Sequence, residues 1–304
     1  MLLRRALLYL SQQRALRNWA ETSALARRMS SRFIAGRTLE EAIDVCRRLR
    51  AEGIGATLDY LGENVTSLTE ASSSRDMCLR VLDAMRAAGV EPNVSIKLTQ
   101  FGLDFSTDAC EGNVATLVEA ASAIGGFVRI DMESSEYTAR TLGIVTRLYQ
   151  RYGSCGTVIQ AYLRRSGADV DYLSGLGIPV RLCKGAYLES ADVAFESKAE
   201  VDRNYLALAK KLLTSRVYAA IATHDERMVE AVKGIVARER IGRDAFEFQM
   251  LYGIRRDLQK RLVADRYRLR LYVPFGEAWY PYFMRRLAER PANLIFLARN
   301  LMRR

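Results

Sequence analysis

Near the C-terminus, Tyr282, Arg285, Arg286 and Glu289 stand three or four positions apart. That interval brings side chains onto one face of an α-helix. A ring, two guanidinium groups and a carboxylate would then be displayed together. Paired arginines suit a small carboxylate, because each guanidinium can grip it through two parallel hydrogen bonds. Glu289 and Asp131 could hold the guanidinium groups in place. The competing interpretation is a solvated Arg–Glu face, worth about 0.3–0.5 kcal/mol per pair.

A second set of chemically capable residues recurs at the ends of short apolar runs. Runs rich in Val, Ile, Leu and Tyr occupy residues 56–61, 94–99, 127–132, 157–163, 180–184, 217–223, 246–251 and 269–273. Such runs are the signature of buried parallel strands. Between them lie amphipathic stretches, among them 74–88, 136–152, 199–213 and 225–238, that predict helices. The alternation predicts an α/β fold, and eight units are enough to close a (β/α)8 TIM-type barrel. A doubly wound dinucleotide fold is disfavoured, since no strand is followed by G-x-G-x-x-G. Residues 1–50, including a helix over 39–51, read as a helical arm on a barrel formed by 51–304. In a barrel the site lies at the C-terminal ends of the strands. There the sequence places Lys97, Asp131, Gln160, Arg181, Lys184, Thr223, His224, Gln249 and Tyr272. Each could be an ordinary strand-end residue facing solvent. Their recurrence on nearly every strand argues for a site, because a charge inside a barrel mouth must be paired or hold a ligand.

Bulk composition excludes more than it identifies. The 304 residues are 49% hydrophobic and 27% charged, as in an ordinary globular protein, and no stretch has the length of apolar residues needed to span a membrane. The net charge of +11 owes much to Arg4, Arg5, Arg14, Arg17, Arg27, Arg28 and Arg32, and to Arg299, Arg303 and Arg304. Basic ends could meet nucleic acid or an anionic membrane surface, or could simply be solvated. Residues 1–33 are Arg-rich and acid-poor like a transit peptide, yet Leu3, Leu7 and Leu10 also form an amphipathic stripe that favours an integral arm. The five cysteines are scattered without a C-x-x-C pair and there is a single histidine, which points to free thiols in a reducing compartment and to no metal site.

Read in order, the segments resemble the proline dehydrogenase family in its short, single-function bacterial form. The resemblance rests on Thr57-Leu-Asp-Tyr-Leu-Gly-Glu63, Val94-Ser-Ile-Lys-Leu-Thr99, Val128-Arg-Ile-Asp-Met-Glu133 and Gln160-Ala-Tyr-Leu-Arg164. It continues through Arg181-Leu-Cys-Lys-Gly-Ala-Tyr187, Ala222-Thr-His-Asp225, Phe248-Gln-Met-Leu-Tyr-Gly253, Tyr272-Val-Pro-Phe-Gly276 and the helix bearing the arginine pair. It spans about residues 40–300, and no aldehyde dehydrogenase segment follows.

The resemblance implies a distorted barrel that binds FAD non-covalently and oxidises L-proline to Δ1-pyrroline-5-carboxylate, with a membrane quinone reoxidising the flavin. Lys97, Arg285 and Arg286 would bind the substrate carboxylate. Tyr272, Tyr282 and Leu251 would wall its ring. Asp131 would orient the cluster through an arginine, and Arg181 would approach flavin N5; these two form the expected catalytic pair. Met132, Gln160, Lys184, Gly185, Ala186, Thr223, His224 and Glu289 would belong to the cofactor side, with Gly185 letting the strand backbone come close. The expected location is the cytoplasm, with transient contact at the inner membrane face. Two rivals make different predictions. A hydroxyproline dehydrogenase would need room beside Tyr272 for a ring substituent. A nucleic-acid-binding barrel would be colourless and bind with strong salt dependence.

Overall fold

The structure is a computed structural model that describes Gln13, Ser23 and residues 32–62, 65–185, 187 and 189–289, with the backbone alone over 285–289. Eight strands close into a barrel: β1 (Gly55–Tyr60), β2 (Asn93–Ile96), β3 (Phe127–Ile130), β4 (Cys155–Gln160), β5 (Val180–Cys183), β6 (Ala219–Ala222), β7 (Phe246–Leu251) and β8 (Leu269–Phe275). Neighbours are parallel throughout, and β8 pairs with β1 to complete the ring, with Thr57 level with Tyr272. The expected barrel is therefore the observed one.

The helices follow from local chemistry. Helix α1 (Leu39–Ala51) opens with a capping box, in which the Thr38 hydroxyl accepts from Glu41 N and the Glu41 carboxylate accepts in return from Thr38 N. Ser67, Ser106 and Ser197 cap α2 (Leu68–Ala87), α3 (Thr107–Ala123) and α6 (Lys198–Thr214), and Asp225 caps α7 (Glu226–Arg238). The remaining helices among the described residues are α4 (Thr138–Tyr152), α5 (Ser166–Gly175), α8 (Arg256–Ala264) and α9 (Trp279–Glu289). Several expected boundaries move, such as the strand expected over 157–163, which runs Cys155–Gln160, and two shifts have a clear local cause. The strand expected over 94–99 ends at Ile96, because Leu98 already has helical backbone (φ −65°, ψ −31°) and opens a 3-10 turn at Thr99–Phe101. The helix expected from residue 74 starts six residues earlier, at Leu68, where Ser67 supplies the cap.

Val128, Ile130, Leu182, Ile221, Phe248, Leu271 and Val273 are buried in one continuous apolar core with the helices. Each such side chain contributes about 1.5–3 kcal/mol. Helix α1 packs on β1, β8 and α2. It thus covers the seam where the ring closes, the place a helix following β8 would normally fill. Helix α9 is released from that duty. Its Trp279, Tyr282, Phe283 and Met284 pack instead with Phe33, Ile34, Leu61 and Ile254, and this cluster reaches Leu251 and Tyr272 at the barrel mouth. The distortion brings an aromatic helix over the site.

Candidate active site

At the C-terminal mouth, charged side chains from opposite strands converge. Asp131, just past β3, is anchored by its backbone N–H on the Ile96 carbonyl at 2.8 Å. Its Oδ1 accepts from Arg181 Nη1 at 2.7 Å, and its Oδ2 accepts from the Tyr272 hydroxyl at 2.9 Å. Lys97 donates to the Tyr272 oxygen at 3.3 Å and to Asp59 Oδ1 at 3.4 Å, and lies 3.8 Å from Asp131 Oδ2. The Tyr272 phenol is held well above its ordinary pKa by burial and by the carboxylates of Asp131 and Asp59, against the opposing pull of Lys97 and Arg181. It stays a neutral donor at physiological pH.

Arg181 is the hub. Besides Asp131 it donates from Nη2 to Ser95 Oγ at 2.9 Å and from Nε to Gln249 Oε1 at 2.5 Å. Its Cζ sits 5.3 Å from the centre of the Tyr272 ring. Only 7% of its side chain is exposed. A guanidinium has five N–H groups, so these three bonds leave two for a ligand.

The expected cofactor residues follow round the ends of β4, β5 and β6. Gln160 is buried, and its amide donates to the Glu133 carbonyl at 2.8 Å. Met132 is buried beside Asp131. Thr223 Oγ1 accepts from Asp225 N at 3.1 Å. His224 Nε2 accepts from Leu251 N at 2.8 Å, so in the neutral ring the proton is assigned to Nδ1. Lys184 is held by carboxylates. Its ammonium lies between Asp202 at 2.5 Å and Asp225 at 3.1 Å, and Lys198 joins the same two carboxylates. Burial would raise both carboxyls, yet the two lysines bring them below their ordinary values. The quartet is neutral as a whole. Gly185 also has a nearer cause than cofactor approach: its φ is +107°, and a Cβ there would lie 2.1 Å from the Tyr162 ring.

Tyr282 is buried in the aromatic cluster, and Leu251 lines its edge. The side chains of Arg285, Arg286 and Glu289 lie outside the described residues, as does Ala186. Helix α9 carries the arginine pair and Glu289 on its last turns.

Sequence reasoning gave no role to Asp59, Ser95 or Glu133. Asp59 is 1% exposed and contacts Lys97. Glu133 accepts from Thr99 N at 3.2 Å and from Thr99 Oγ1 at 2.6 Å, which ties the β3 end to the turn after β2. A signal existed for Asp59: a carboxylate in the middle of an otherwise apolar strand must face a partner.

The comparisons with known proteins agree with this geometry. The family model described as proline dehydrogenase matches residues 42–299. The chain belongs to the proline dehydrogenase family. Proline dehydrogenase 1 of Bacillus subtilis is 40% identical over 303 residues, covering 100% of each chain. The proline dehydrogenase of Deinococcus radiodurans is 42% identical, covering 90% of each. Among solved structures, proline utilization A from Bdellovibrio bacteriovorus, inactivated by N-propargylglycine, superposes with a TM-score of 0.81 at 30% identity. That match covers 87% of this chain and 33% of the other. This family member thus matches one segment of a larger protein, and matches proline dehydrogenase 1 of Bacillus subtilis over its whole length.

Proposed function

We propose that this protein oxidises L-proline to Δ1-pyrroline-5-carboxylate at the C-terminal mouth of the barrel, with FAD as the immediate electron acceptor and a membrane quinone as the next. The observation that carries the proposal is the Lys97–Tyr272–Asp131–Arg181 cluster, in a chain of this family. The residues present fit a flavin. Arg181 keeps two N–H groups, Gln160 keeps its carbonyl oxygen as an acceptor, and Thr223 and His224 place a polar pair just past β6. Bound there, FAD supplies a two-electron acceptor for hydride.

The chain's own residues do the rest. Lys97, with Arg285 and Arg286, anchors the substrate carboxylate, and Tyr272, Tyr282 and Leu251 wall the ring. Fixing both ends aligns C5 for transfer, which is a positioning task. The C5–H bond breaks with its electron pair leaving as hydride, while the nitrogen lone pair forms the C=N bond. Proline must therefore react as the neutral amine, and the rate rises with pH until the amine is deprotonated. Arg181 stabilises the negative charge that the acceptor gains. The Tyr272 hydroxyl is pinned by Asp131 and Lys97, so it cannot swing aside for a ring substituent, which favours proline over 4-hydroxyproline.

The visible spectrum of the purified protein tests this directly. Flavin bands near equimolar with protein are expected, and a colourless, folded protein would overturn the proposal. Steady-state rates with proline and trans-4-hydroxyproline test the substrate. For the quinone step, the seven arginines within residues 4–32, against the single acidic Glu21, suit an anionic bilayer that attracts each by about 1 kcal/mol. Salt-sensitive co-sedimentation with anionic vesicles, lost in a chain starting near Gly36, is expected. Equal or absent binding by both would remove the membrane part. Among the described residues no helix is long and apolar enough to cross a membrane.

A further inference from the structure

Arg181 takes its orientation from other strands: β2 through Ser95, the end of β3 through Asp131, and β7 through Gln249. Of the three acceptors, the amide of Gln249 is the one that could present either face, oxygen or nitrogen. Glu247 removes that freedom. It lies two residues earlier on β7, and its Oε1 accepts from Gln249 Nε2 at 2.5 Å. An ionised carboxylate only accepts, so the amide nitrogen must turn to Glu247 and the oxygen to Arg181. Burial would raise the Glu247 carboxyl, but Arg270, Gln249 and Arg129 bring it below its ordinary value, and it is ionised at neutral pH.

Glu247 is fixed in its turn. Arg270 Nε meets both of its oxygens at 3.0 and 3.1 Å, Nη2 meets both oxygens of Glu91 at 3.0 Å, and Nη1 donates to the Ala56 carbonyl at 3.0 Å. A hydrogen-bonded line thus runs up the barrel, from Glu91 at the base through Arg270, Glu247 and Gln249 to Arg181. Strand β6 leaves room for it. Ala220 is level with both Arg181 and Glu247, and Ala222 is level with Gln249, so no large side chain of β6 stands between them.

We infer that Gln249 and Glu247 are positioning residues for the redox step: Glu247 sets the Gln249 amide, which holds Arg181 turned toward the cofactor. The inference rests on the assignment of Arg181 to the flavin made above. A purely structural role for the pair would alter stability and leave the flavin's potential alone.

The test uses flavin-loaded protein in four variants: Arg181→Met, Gln249→Met, Glu247→Gln, and the swapped pair Glu247→Gln with Gln249→Glu. Two quantities are read, the midpoint potential of the bound flavin by dye equilibration and anaerobic single-turnover reduction by proline. Gln249→Met is expected to move the potential in the same direction as Arg181→Met, by less. It should slow reduction about 10-fold, the loss expected for one hydrogen bond to a charged group, with the apparent proline affinity nearly unchanged. The swapped pair is expected to reduce faster than Glu247→Gln alone. A carboxylate at position 249 accepts from Arg181, and the amide at 247 bridges it to Arg270. If Gln249→Met loses its flavin, that last comparison decides. Normal potential and reduction in Gln249→Met beside an impaired Arg181→Met would overturn the inference and leave the site assignment standing, as would a swapped pair no faster than Glu247→Gln. A yellow Arg181→Met that reduces normally would overturn both.

Discussion

At the base of the barrel, Arg270 commits its guanidinium to Glu247, Glu91 and the Ala56 carbonyl, and Arg129 donates from Nη1 to the carbonyls of Thr157 and Pro179 at 3.0 and 2.8 Å. At the mouth, Arg181 keeps two N–H groups, and Lys97 shares Tyr272 and two carboxylates at looser distances of 3.3–3.8 Å. A cavity of about 510 Å³ opens at the base, lined by Gly55, Glu91, Asn93, Arg129, Glu247 and Arg270. Volume alone would draw attention there. Charge says otherwise, because Arg270 is already matched by carboxylates, and burial with the neighbouring Arg181 lowers the Arg129 guanidinium to about 9. Basal charges hold the barrel together, and Glu247 reaches the chemistry only through Gln249, whereas Arg181 at the mouth has donors left for a ligand. The same residue types serve the fold at one end and chemistry at the other.

The strongest way to break this contrast is to remove one partner of the basal pair. The side chains of Arg270 and Glu247 are 9% and 6% exposed. Arg270→Met would strand a buried carboxylate, so a stability loss of about 3–5 kcal/mol is expected in urea unfolding. Lys97→Met, at the mouth, is expected to lower activity and to cost less stability than Arg270→Met, because the buried Asp59 carboxylate meets Lys97 at 3.4 Å whereas Arg270 reaches both oxygens of Glu247 at 3.0 and 3.1 Å. Equal stability losses would erase the distinction. The pH dependence carries a sign. The folded Glu247 carboxyl lies below its ordinary value of 4.5, so its contribution is complete above that value and fades as pH falls below it. Arg270→Met should flatten that acid limb.

Next in size is the arginine pair. Arg286→Met or Arg285→Met would remove a charged partner of a desolvated carboxylate, an expected loss of about 2–5 kcal/mol in kcat/KM for proline. The melting temperature should hardly move. Near-normal kcat/KM in both variants, folded and yellow, would show that the pair belongs to a solvated face.

How much of this was legible in the sequence follows the same division. The eight strands could be read because parallel barrel strands are apolar runs; Lys97 and Asp131 could be read as polar breaks at the ends of those runs, and Arg181 and Tyr272 as polar residues inside β5 and β8. Their meeting across the barrel could not be read from spacing. Asp131 and Tyr272 are 141 positions apart, and only ring closure brings them to 2.9 Å. The basal residues went unnoticed for a related reason. Glu247 and Arg270 sit at the starts of strands, where a charge looks like a strand edge, although both lie two residues before a residue of the mouth on the same strand, Gln249 and Tyr272. Side chains two apart on a strand share a face, so that spacing was a usable signal. For Gly185 the sequence suggested close approach of the backbone, and the structure adds the Tyr162 ring, which comes from another strand's end and could not be read from spacing.

That glycine gives a third, smaller test. Gly185→Ala puts a Cβ into the Tyr162 ring and forces φ of +107° on a residue that resists it. The expected cost is about 1–3 kcal/mol, felt as weaker flavin retention and a lower melting temperature. Pairing it with Tyr162→Ala would relieve the clash but leave the backbone strain. Partial recovery is therefore expected, and full recovery would show that the ring alone made glycine necessary.

The smallest effect sharpens the comparison most, because it alters one oxygen atom at the mouth. Tyr272→Phe removes the hydroxyl that donates to Asp131 Oδ2 and accepts from Lys97, while keeping the ring beside Arg181. Asp131 retains Arg181 and the nearby Lys97, so its charge stays compensated. Two hydrogen bonds are lost, the one from Lys97 long at 3.3 Å, and neither loss strands a charge, so the effect is about 1–1.5 kcal/mol. A fall of up to about 10-fold in kcat/KM for proline is expected, with little change in stability. The basal counterpart, Tyr218→Phe, removes a bond of similar kind to Glu247, at 3.4 Å, where no substrate meets it. Glu247 keeps Arg270 and its bond from Gln249, so this variant should leave kcat/KM for proline unchanged within about twofold. If the two phenylalanine variants lost activity equally, the mouth would have no special claim on its hydroxyl, and the division between working and anchoring ends would fail at the level of single atoms.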